Sequence, residues 1–274
     1  MSYAIFRCQS INTLADLSHI GSHNKREKES YKSNPDIRIE DSINNIELVK
    51  CNKKYREKFY EITKEYKKEH DKRMETMRED RKKSFRQMVD DSNNVVADEL
   101  LFTSDNDFFK DMNKRQIKKW AETCMEFVYE DLGYTQKQVL HATLHLDEKT
   151  PHIHCVVVPL IKKFDKRTDT EKWTISKKQY IRDKAHLSQL QDKYYERLVD
   201  KGFDLDRGIK NSDNEHISIR EFKKITNKLD NRLEKQNTIL TNSFEELEDK
   251  LKTSKPTITG KEVKIEYHKY LYQF

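Results

Sequence analysis

Apolar and polar residues alternate in two short parts of the chain and recur every three or four positions in several longer parts. The alternation from Tyr3 to Cys8 predicts a half-buried strand. The segment 139–160 alternates on both sides of the turn DEKTP, which predicts an antiparallel hairpin. Between these strands, the polar segment 21–37 predicts a loop or short helix that leaves the sheet.

Helical spacing follows in the intervening regions. Residues 53–90 carry apolar side chains at intervals of three and four, which predicts a long amphipathic helix or a helical pair. The segment TSDNDFF offers Ser104, Asp105 or Asp107 as the N-cap of a buried helix that Gly133 would end. Strands and helices together predict an α+β fold, with an antiparallel sheet flanked by helices.

The last part of the chain is predicted to be helical. One helix is expected from about 176 to 202, and a coiled-coil arm over 216–252 follows the main domain, 1–215. The apolar positions of the arm are nearly heptad-spaced: Phe222, Ile225, Leu229, Leu233, Leu240, Phe244, Leu247 and Leu251. Because polar Gln236 interrupts this seam, a single helix packed on the domain is the alternative to a homodimeric coiled coil. Residues 253–274 form a tail of unknown role.

Composition supports one domain with an accessory arm, because only 34% of the 274 residues are hydrophobic and 37% are charged. The net charge of +6 permits a polyanionic partner without requiring one. The four cysteines lie far apart in the sequence, which favours a reducing cytosol. We expect a cytoplasmic protein without stable membrane insertion, because no apolar run is long enough to span a bilayer and MSYAIFRCQS lacks the order of a secretory signal.

Three histidines of the predicted hairpin are in phase. If its strands pair antiparallel, His145 lies beside His152 and His154 on one face of the sheet. Three imidazoles from a rigid platform predict a metal site with open coordination positions, whereas a structural zinc is closed by four protein ligands. For His141, on the same face, an ordinary packed histidine is the better interpretation.

Glu148, in the turn of the hairpin, has several possible roles. Its carboxylate could ligate the metal, orient a histidine or accept a proton, and on spacing alone it could also be an ordinary turn carboxylate.

These residues resemble the Mob/Pre plasmid mobilisation and recombination relaxases of the HUH superfamily. The resemblance covers roughly residues 1–225 and rests on HLDEKTPHIHCVVVP, with further similarity in MSYAIFR, TSDNDFF and GFDLDRG. It implies a palm-like antiparallel sheet and a divalent ion, Mn²⁺ or Mg²⁺, held by His145, His152 and His154. It also implies nicking of one strand of plasmid DNA, at a single-stranded or hairpin segment of a transfer origin, through a covalent 5′-phosphate adduct that is later rejoined.

The segment SHNKRE is similar to the place where the family has a histidine followed three residues later by an arginine. The resemblance therefore implies His23 as the nucleophile, with Arg26 beside it. The family's Asn-Tyr pair is absent, because Ile46 occupies the position of its tyrosine, and an isoleucine cannot be a nucleophile. Tyr31 is the runner-up nucleophile, and its ordinary pKa of about 10 would require activation.

DNA recognition requires basic and aromatic side chains near the cleavage site. The resemblance carries a DNA-contacting tyrosine onto Tyr134, and the basic candidates include Arg26 and Arg207, with Asn24 beside the nucleophile. A salt bridge that pins its own loop is an equally good interpretation of Arg207.

Two other functions fit part of the sequence. A rolling-circle replication initiator of the same superfamily would use a tyrosine nucleophile, for which Tyr194 and Tyr195 are the helical candidates. A non-catalytic DNA-binding coiled-coil protein would use the histidines for a structural zinc.

Overall fold

The fold was derived from a computed structural model that describes residues 2–28, 30, 31, 34, 36–208, 210 and 219–253. The chain divides into two compact units, residues 1–210 and residues 211–274. In the part of the chain that the structure describes, every helix is too short or too polar to span a bilayer.

The first unit contains a five-stranded antiparallel sheet and a separate two-stranded hairpin. The strands are β1 (Ile5–Ile11), β2 (Ile46–Val49), β3 (Ala97–Thr103), β4 (Val139–His145), β5 (His152–Val157), β6 (Leu160–Asp165) and β7 (Thr170–Ile175). The large sheet has the order β1-β3-β5-β4-β2, and β6 pairs with β7. The predicted hairpin is β4–β5, and β5 lies at the centre of the sheet, so its side chains are surrounded by neighbouring strands.

Helices cover both faces of this sheet. They are α1 (Leu14–Asn24), α2 (Tyr55–Ile62), α3 (Lys64–Glu75), α4 (Phe85–Asp90), α5 (Asn106–Lys110), α6 (Lys114–Glu126) and α7 (Lys184–Asp200). One hydrophobic core includes Phe102 of β3, Trp120 of α6 and Tyr194 of α7. The second core, on the other face, includes Leu17 of α1 and Tyr55 of α2. The predicted α+β fold is confirmed.

The region 53–90 is a series of short helices. The helical-pair alternative is therefore the better one, because α2 and α3 meet at Thr63 and the chain then passes through a short 3₁₀ turn, Glu79–Arg81, to α4. Helix α1 begins at Leu14, before the polar segment in which a loop or a short helix was expected.

The helix predicted after TSDNDFF is also divided. Asp105 caps only the five-residue α5, accepting from the backbone nitrogen of Phe108, and Asn113 caps α6 with a second side-chain hydrogen bond. After α6 the chain continues as a π-helical turn, Phe127–Asp131, and Gly133 follows with a φ of +80° that suits glycine.

The β4–β5 hairpin contains an irregularity that the alternation did not predict. The register shifts between Val139 and His141, which is a β-bulge. Leu140 consequently joins the second core, on the face of the histidines, while Ala142 and Leu144 pack in the first core. Strict alternation along 139–145 would have placed Leu140 on the face of Ala142, so the alternation is wrong at this one position.

In the second unit, residues 219–253 form one helix, α8 (Ile219–Thr253). This helix covers most of the segment 216–252, and the coiled-coil arm proposed for that segment stays a prediction. Leu229, Leu233 and Phe244, which lie on the predicted seam, are exposed. The side chains of Phe222, Ile225 and Leu251, together with residues 211–218 and 254–274, lie outside the described part of the structure.

Candidate metal centre and nucleophile

The three histidines of the β4–β5 hairpin converge. His145 and His152 face each other across the paired strands, and His154 faces Thr143 two positions further along. Ring centroids are 5.2 Å apart for His145 and His152, 5.3 Å for His145 and His154, and 5.0 Å for His152 and His154. The antiparallel register thus brings all three rings to one place on the sheet.

The environment of His145 fits a metal ligand. Its side chain is 0% exposed, and neither ring nitrogen has a hydrogen-bond partner among the described residues. Nδ1 lies 3.6 Å from Asp147 Oδ1, just beyond hydrogen-bond distance. Buried polar groups are rarely left unpaired, so a partner such as a cation is expected for the ring nitrogen of His145 that carries the lone pair. One ligand atom each from His145, Glu148 and His152 lies within 4.8 Å of the others, which suits a cation of this donor set.

The hydrogen bonds of the other two histidines leave Nε2 free for a ligand. His152 Nδ1 lies 2.9 Å from the Thr150 carbonyl oxygen, and His154 Nδ1 lies 2.8 Å from Glu99 Oε1. Since these partners only accept, the Nδ1 atoms carry the protons and the Nε2 atoms the lone pairs. Glu99, on β3, was missed by the sequence analysis, which did not identify its strand.

Burial keeps the imidazoles of His145 and His152 neutral. It lowers the pKa of His145 to about 3 and that of His152 to about 4, and the nearby His154 adds to both effects. Neutral imidazoles are the form that binds metal ions, so these ligands do not have to lose a proton near neutral pH.

His23 lies beside the histidine cluster, in the last turn of α1. Its ring centroid is 5.6 Å from that of His154 and 6.0 Å from that of His145, and its side chain is 27% exposed. Burial is the main cause that lowers the pKa of His23 to about 4, followed by the charges of His154 and Arg26. At neutral pH the ring is therefore uncharged and still accessible.

Arg26 fixes the tautomer of this ring. Its Nη1 atom lies 3.3 Å from His23 Nε2, and a guanidinium can only donate, so Nε2 must carry the lone pair and Nδ1 the proton. Arg26 has a φ of +55°, a left-handed conformation that is uncommon outside glycine. Its side chain donates to Asp147 Oδ2 and Oδ1 over 2.7 Å each and to Glu148 Oε1 over 2.8 Å.

Asp147 was not among the predicted site residues, although it lies directly between His145 and Glu148 in sequence. It is fully buried, and besides Arg26 it accepts a 2.6 Å hydrogen bond from Ser42 Oγ. The ion pair joins the end of α1 to the turn of the β4–β5 hairpin. A second carboxylate next to Glu148 was the available signal.

Glu148 lies between the nucleophile candidate and the histidine ligands. Its Oε1 atom is 3.6 Å from His152 Nε2 and 4.0 Å from His23 Nε2, while Oε2 accepts from Asn34 over 2.8 Å. Burial acts to raise the pKa of Glu148, but His152, the Asn34 hydrogen bond and Arg26 outweigh it, and the pKa is lowered. The carboxylate is therefore ionised at neutral pH.

The predicted DNA-contacting residues are held by protein partners. Asn24 is only 3% exposed, and Tyr134 is buried with its ring stacked on Tyr180 at 3.9 Å. Arg207 is bound to Asp192 Oδ1 at 2.5 Å, so the loop-pinning salt bridge is present. DNA contact by these residues stays a prediction.

Tyr31 is buried beside His23, with ring centroids 6.1 Å apart. Its hydroxyl accepts from the Lys28 backbone nitrogen over 3.1 Å and lies 3.4 Å from the Ser22 carbonyl oxygen. The hydroxyl is thus engaged by the end of α1 and by the loop that follows it. Ile46 begins the edge strand β2 and offers no reactive atom.

The family profile and the curated relatives that match this chain are all described as plasmid recombination enzymes. The profile of the Mob_Pre family, described as plasmid recombination enzyme, matches residues 1–224. A plasmid recombination enzyme from Bacillus sp. is 33% identical over 261 residues, which is 95% of this chain and 54% of the relative. A type 1 plasmid recombination enzyme from Staphylococcus aureus is 31% identical over 229 residues, 82% of this chain and 50% of the relative. The chain therefore spans about half the length of these curated relatives.

Solved structures show the same fold. A MobM relaxase domain bound to plasmid pMV158 oriT DNA, Mn-bound at pH 6.8, matches with a TM-score of 0.63 and 28% identity, covering 81% of this chain and 98% of that chain. The Mn-bound structure at pH 4.6 has a TM-score of 0.61 and 28% identity, and covers 81% and 99%.

Proposed function

The chain belongs to the Mob_Pre family of plasmid recombination enzymes, and from this premise we propose that it is a plasmid mobilisation relaxase. It nicks one strand of plasmid DNA at a transfer origin or recombination site and later rejoins it. The main support for the proposal is the position of His23, which is neutral and accessible. Its ring centroid lies 5.6 Å from that of His154 in the histidine cluster. A cytoplasmic location, where plasmid DNA is found, is part of the proposal.

His145, His152 and His154 are proposed to hold one divalent cation, Mn²⁺ or Mg²⁺, on the free nitrogens of their rings. A cation bound there would polarise a non-bridging oxygen of the scissile phosphate and offset its developing charge. The unpaired nitrogens of His145 and the Mn-bound state of the related MobM domain support this assignment. Ionised Glu148, next to His152, either adds an oxygen ligand or orients the ligands.

His23 Nε2 is proposed to attack the phosphorus atom. The bond to the 3′ oxygen then breaks, the 3′ oxygen takes a proton from solvent, and the DNA 5′ end stays attached as a phosphoramidate. The imidazole gives up its Nδ1 proton to solvent. Attack by a 3′ hydroxyl on the adduct reverses these steps and rejoins the strand.

Arg26 is proposed to change partners during this reaction. In the structure its Nη1 atom faces His23 Nε2, while its other nitrogens are held by Asp147 and Glu148. An incoming phosphate oxygen can take the place of His23 at Nη1, which frees the lone pair for attack and stabilises negative charge on the phosphate.

The structure gives less support to the rival functions. The hydroxyl of Tyr194, one tyrosine proposed for a replication initiator, is buried in the core and lies 3.3 Å from Cys124 Sγ. A structural zinc site would need four closing ligands, whereas Glu148 is also engaged by Arg26 and Asn34.

The test is incubation of the protein with supercoiled plasmid carrying the cognate origin, with and without Mn²⁺. Wild type, His23→Ala and Tyr31→Phe are compared by relaxation of the plasmid and by the protein–DNA adduct on denaturing gels. We expect the adduct with wild type and Tyr31→Phe and none with His23→Ala. An adduct in His23→Ala would exclude the proposed nucleophile, and its loss in Tyr31→Phe would favour the tyrosine.

A further inference from the structure

A hydrogen-bonded chain of buried polar groups begins at the edge of the sheet and leads towards the histidine cluster. His141 is buried on β4, with Nε2 3.0 Å from Glu47 Oε1 and Nδ1 2.5 Å from the Tyr55 hydroxyl. Glu47, on edge strand β2, is 43% exposed. The packed histidine of the sequence analysis is thus one member of a longer series.

The series continues from Tyr55 to a proposed metal ligand. Asn24 Nδ2 lies 3.3 Å from the Tyr55 hydroxyl and 3.4 Å from Glu99 Oε1. The same Glu99 oxygen lies 2.8 Å from His154 Nδ1. Tyr55 and Asn24 are both buried, so these bonds do not compete with bulk water.

One assignment of protons satisfies every bond in the series. The Asn24 amide has two hydrogens, one for the Tyr55 oxygen and one for Glu99. Tyr55 then donates its proton to His141 Nδ1, and His141 donates from Nε2 to the Glu47 carboxylate. Removing the Tyr55 hydroxyl would leave both His141 and Asn24 with an unmatched group in a buried place.

Tyr55 also supports the helix that carries His23. Gly21 lies in α1, two residues before His23. A Cβ atom added to Gly21 would lie 2.8 Å from Tyr55 Cγ, so the backbone of α1 packs directly against the ring. Asn24, the last residue of α1, follows His23 and is held by the Tyr55 hydroxyl. Both the ring and the hydroxyl therefore determine where the end of α1 lies.

From this geometry we propose that Tyr55 and His141 are positioning residues for the nicking reaction, acting through Asn24 on His23 and on the Glu99–His154 pair. The inference rests on the proposed relaxase function. Neither residue touches the reacting atoms. They hold the nucleophile and one metal ligand at a fixed distance and orientation. A displacement of the nucleophile by about 1 Å would lower the reaction rate by roughly 100-fold.

The test compares Tyr55→Phe with Tyr194→Phe. Both changes remove one buried tyrosine hydroxyl, but Tyr194 lies in the other core and bonds Cys124. Single-turnover cleavage of a single-stranded cognate origin is measured with Mn²⁺ over a range of DNA concentrations. We expect Tyr55→Phe to lower the rate at saturating DNA by about 10- to 100-fold, with the DNA dissociation constant changed less than about twofold, and Tyr194→Phe to cleave like wild type.

A second readout does not depend on cleavage. Histidine ring N–H signals are recorded by long-range ¹H–¹⁵N NMR on metal-free protein and assigned with His141→Gln and His154→Gln. We expect the ring proton of His154, held by Glu99, to exchange slowly with water in wild type and Tyr194→Phe and faster in Tyr55→Phe. Failure of wild type to cleave would reject the proposed function, and the His154 signal would still report whether Tyr55 holds this ligand.

Three results would overturn the inference: wild-type cleavage by Tyr55→Phe, a loss confined to DNA affinity, or an unchanged His154 signal in Tyr55→Phe. Equal rate losses in Tyr55→Phe and Tyr194→Phe would overturn it as well, because the effect would then be general destabilisation. His141→Gln is a second variant that keeps the Tyr55 ring against Gly21, and it is expected to lower the saturating rate in the same direction.

Discussion

Arg26 and Asp147 are joined by two hydrogen bonds of 2.7 Å each, from Nε and Nη2 to the two carboxylate oxygens. The pair is almost completely buried, with 6% of the Arg26 side chain and 0% of Asp147 exposed. It connects the loop after α1 to the turn of the β4–β5 hairpin. The nucleophile candidate and the histidine ligands, which come from distant parts of the chain, are therefore fixed relative to each other by a bidentate ion pair.

We predict that Asp147→Ala destabilises the protein by about 3–5 kcal/mol, because it leaves the buried Arg26 charge without its main partner. Urea unfolding followed by circular dichroism measures this change. Asp91→Ala is the matched control, because Asp91 pairs with Lys83 on the surface, where both side chains are 55% exposed. Exposed pairs contribute little, so equal destabilisation by the two substitutions would contradict the prediction.

The substitution Arg26→Lys tests whether the positive charge of residue 26 is sufficient or whether its bidentate contact with Asp147 is also required. Lysine keeps the positive charge but cannot form the bidentate contact with Asp147 while also reaching Glu148. We expect folded protein whose cleavage rate at saturating DNA is reduced by about 10-fold or more. A rate like that of wild type, measured in the same single-turnover assay, would show that charge alone is sufficient.

A methyl group at Gly21 is predicted to harm the enzyme although it favours the helix. Alanine is preferred over glycine in a helix by about 1 kcal/mol, but here its Cβ would lie 2.8 Å from Tyr55 Cγ. Since the ring is buried and cannot move aside freely, overpacking should cost about 1–3 kcal/mol and shift the end of α1. Thermal unfolding and cleavage rate are measured together, and a stabilised, fully active Gly21→Ala would refute the close contact.

Metal binding is predicted to stabilise the folded chain through His145. A ligand that binds only the native state adds about 2.7 kcal/mol at a concentration 100 times its dissociation constant. Mn²⁺ should therefore raise the melting temperature of wild type and should have much less effect on His145→Leu. Chelation should abolish nicking but leave the far-ultraviolet spectrum unchanged, whereas unfolding on chelation would support a structural zinc.

The sequence predicted the hairpin and its three histidines because strict alternation and a short turn determine which side chains share a face. The facing of His145 and His152 follows directly from that pattern. Local patterns also identified Asp105 as an N-cap candidate, since capping depends on residues close in sequence.

Contacts between segments that are distant in sequence could not be predicted from such local patterns. Glu99 and Tyr55 join the site only because β3 and α2 are placed beside β5 and α1 by tertiary packing. Asp147 is adjacent to two predicted site residues, but its partner Arg26 is 121 positions away. The bulge that turns Leu140 to the histidine face depends on neighbouring strands, which no single segment specifies.

The stability of the metal-free protein is predicted to fall as the pH falls from about 6.5 towards about 4. In the unfolded chain each histidine takes up a proton near pH 6.5, while in the folded chain burial lowers the pKa of His152 to about 4 and that of His23 to about 4. The unfolded state then binds more protons in this window, so stability rises with pH across it. Melting temperatures between pH 4.5 and 7.5 measure the slope, and His152→Gln should reduce it.

The substitution Tyr134→Phe tests whether the buried hydroxyl of this tyrosine contributes to the stability of the fold or to DNA binding. Its hydroxyl has no hydrogen-bond partner among the described residues, although the ring stacks on Tyr180. Removing an unpaired buried hydroxyl while keeping the ring should leave the free energy of unfolding unchanged or raise it by about 1–2 kcal/mol. Tyr180→Phe is the control, because its hydroxyl accepts a 2.6 Å hydrogen bond from Gln138 and its loss should destabilise the fold. If Tyr134→Phe is as stable as wild type but binds origin DNA more weakly, the hydroxyl acts in DNA recognition after a rearrangement, whereas unchanged DNA affinity would exclude a DNA contact by this hydroxyl.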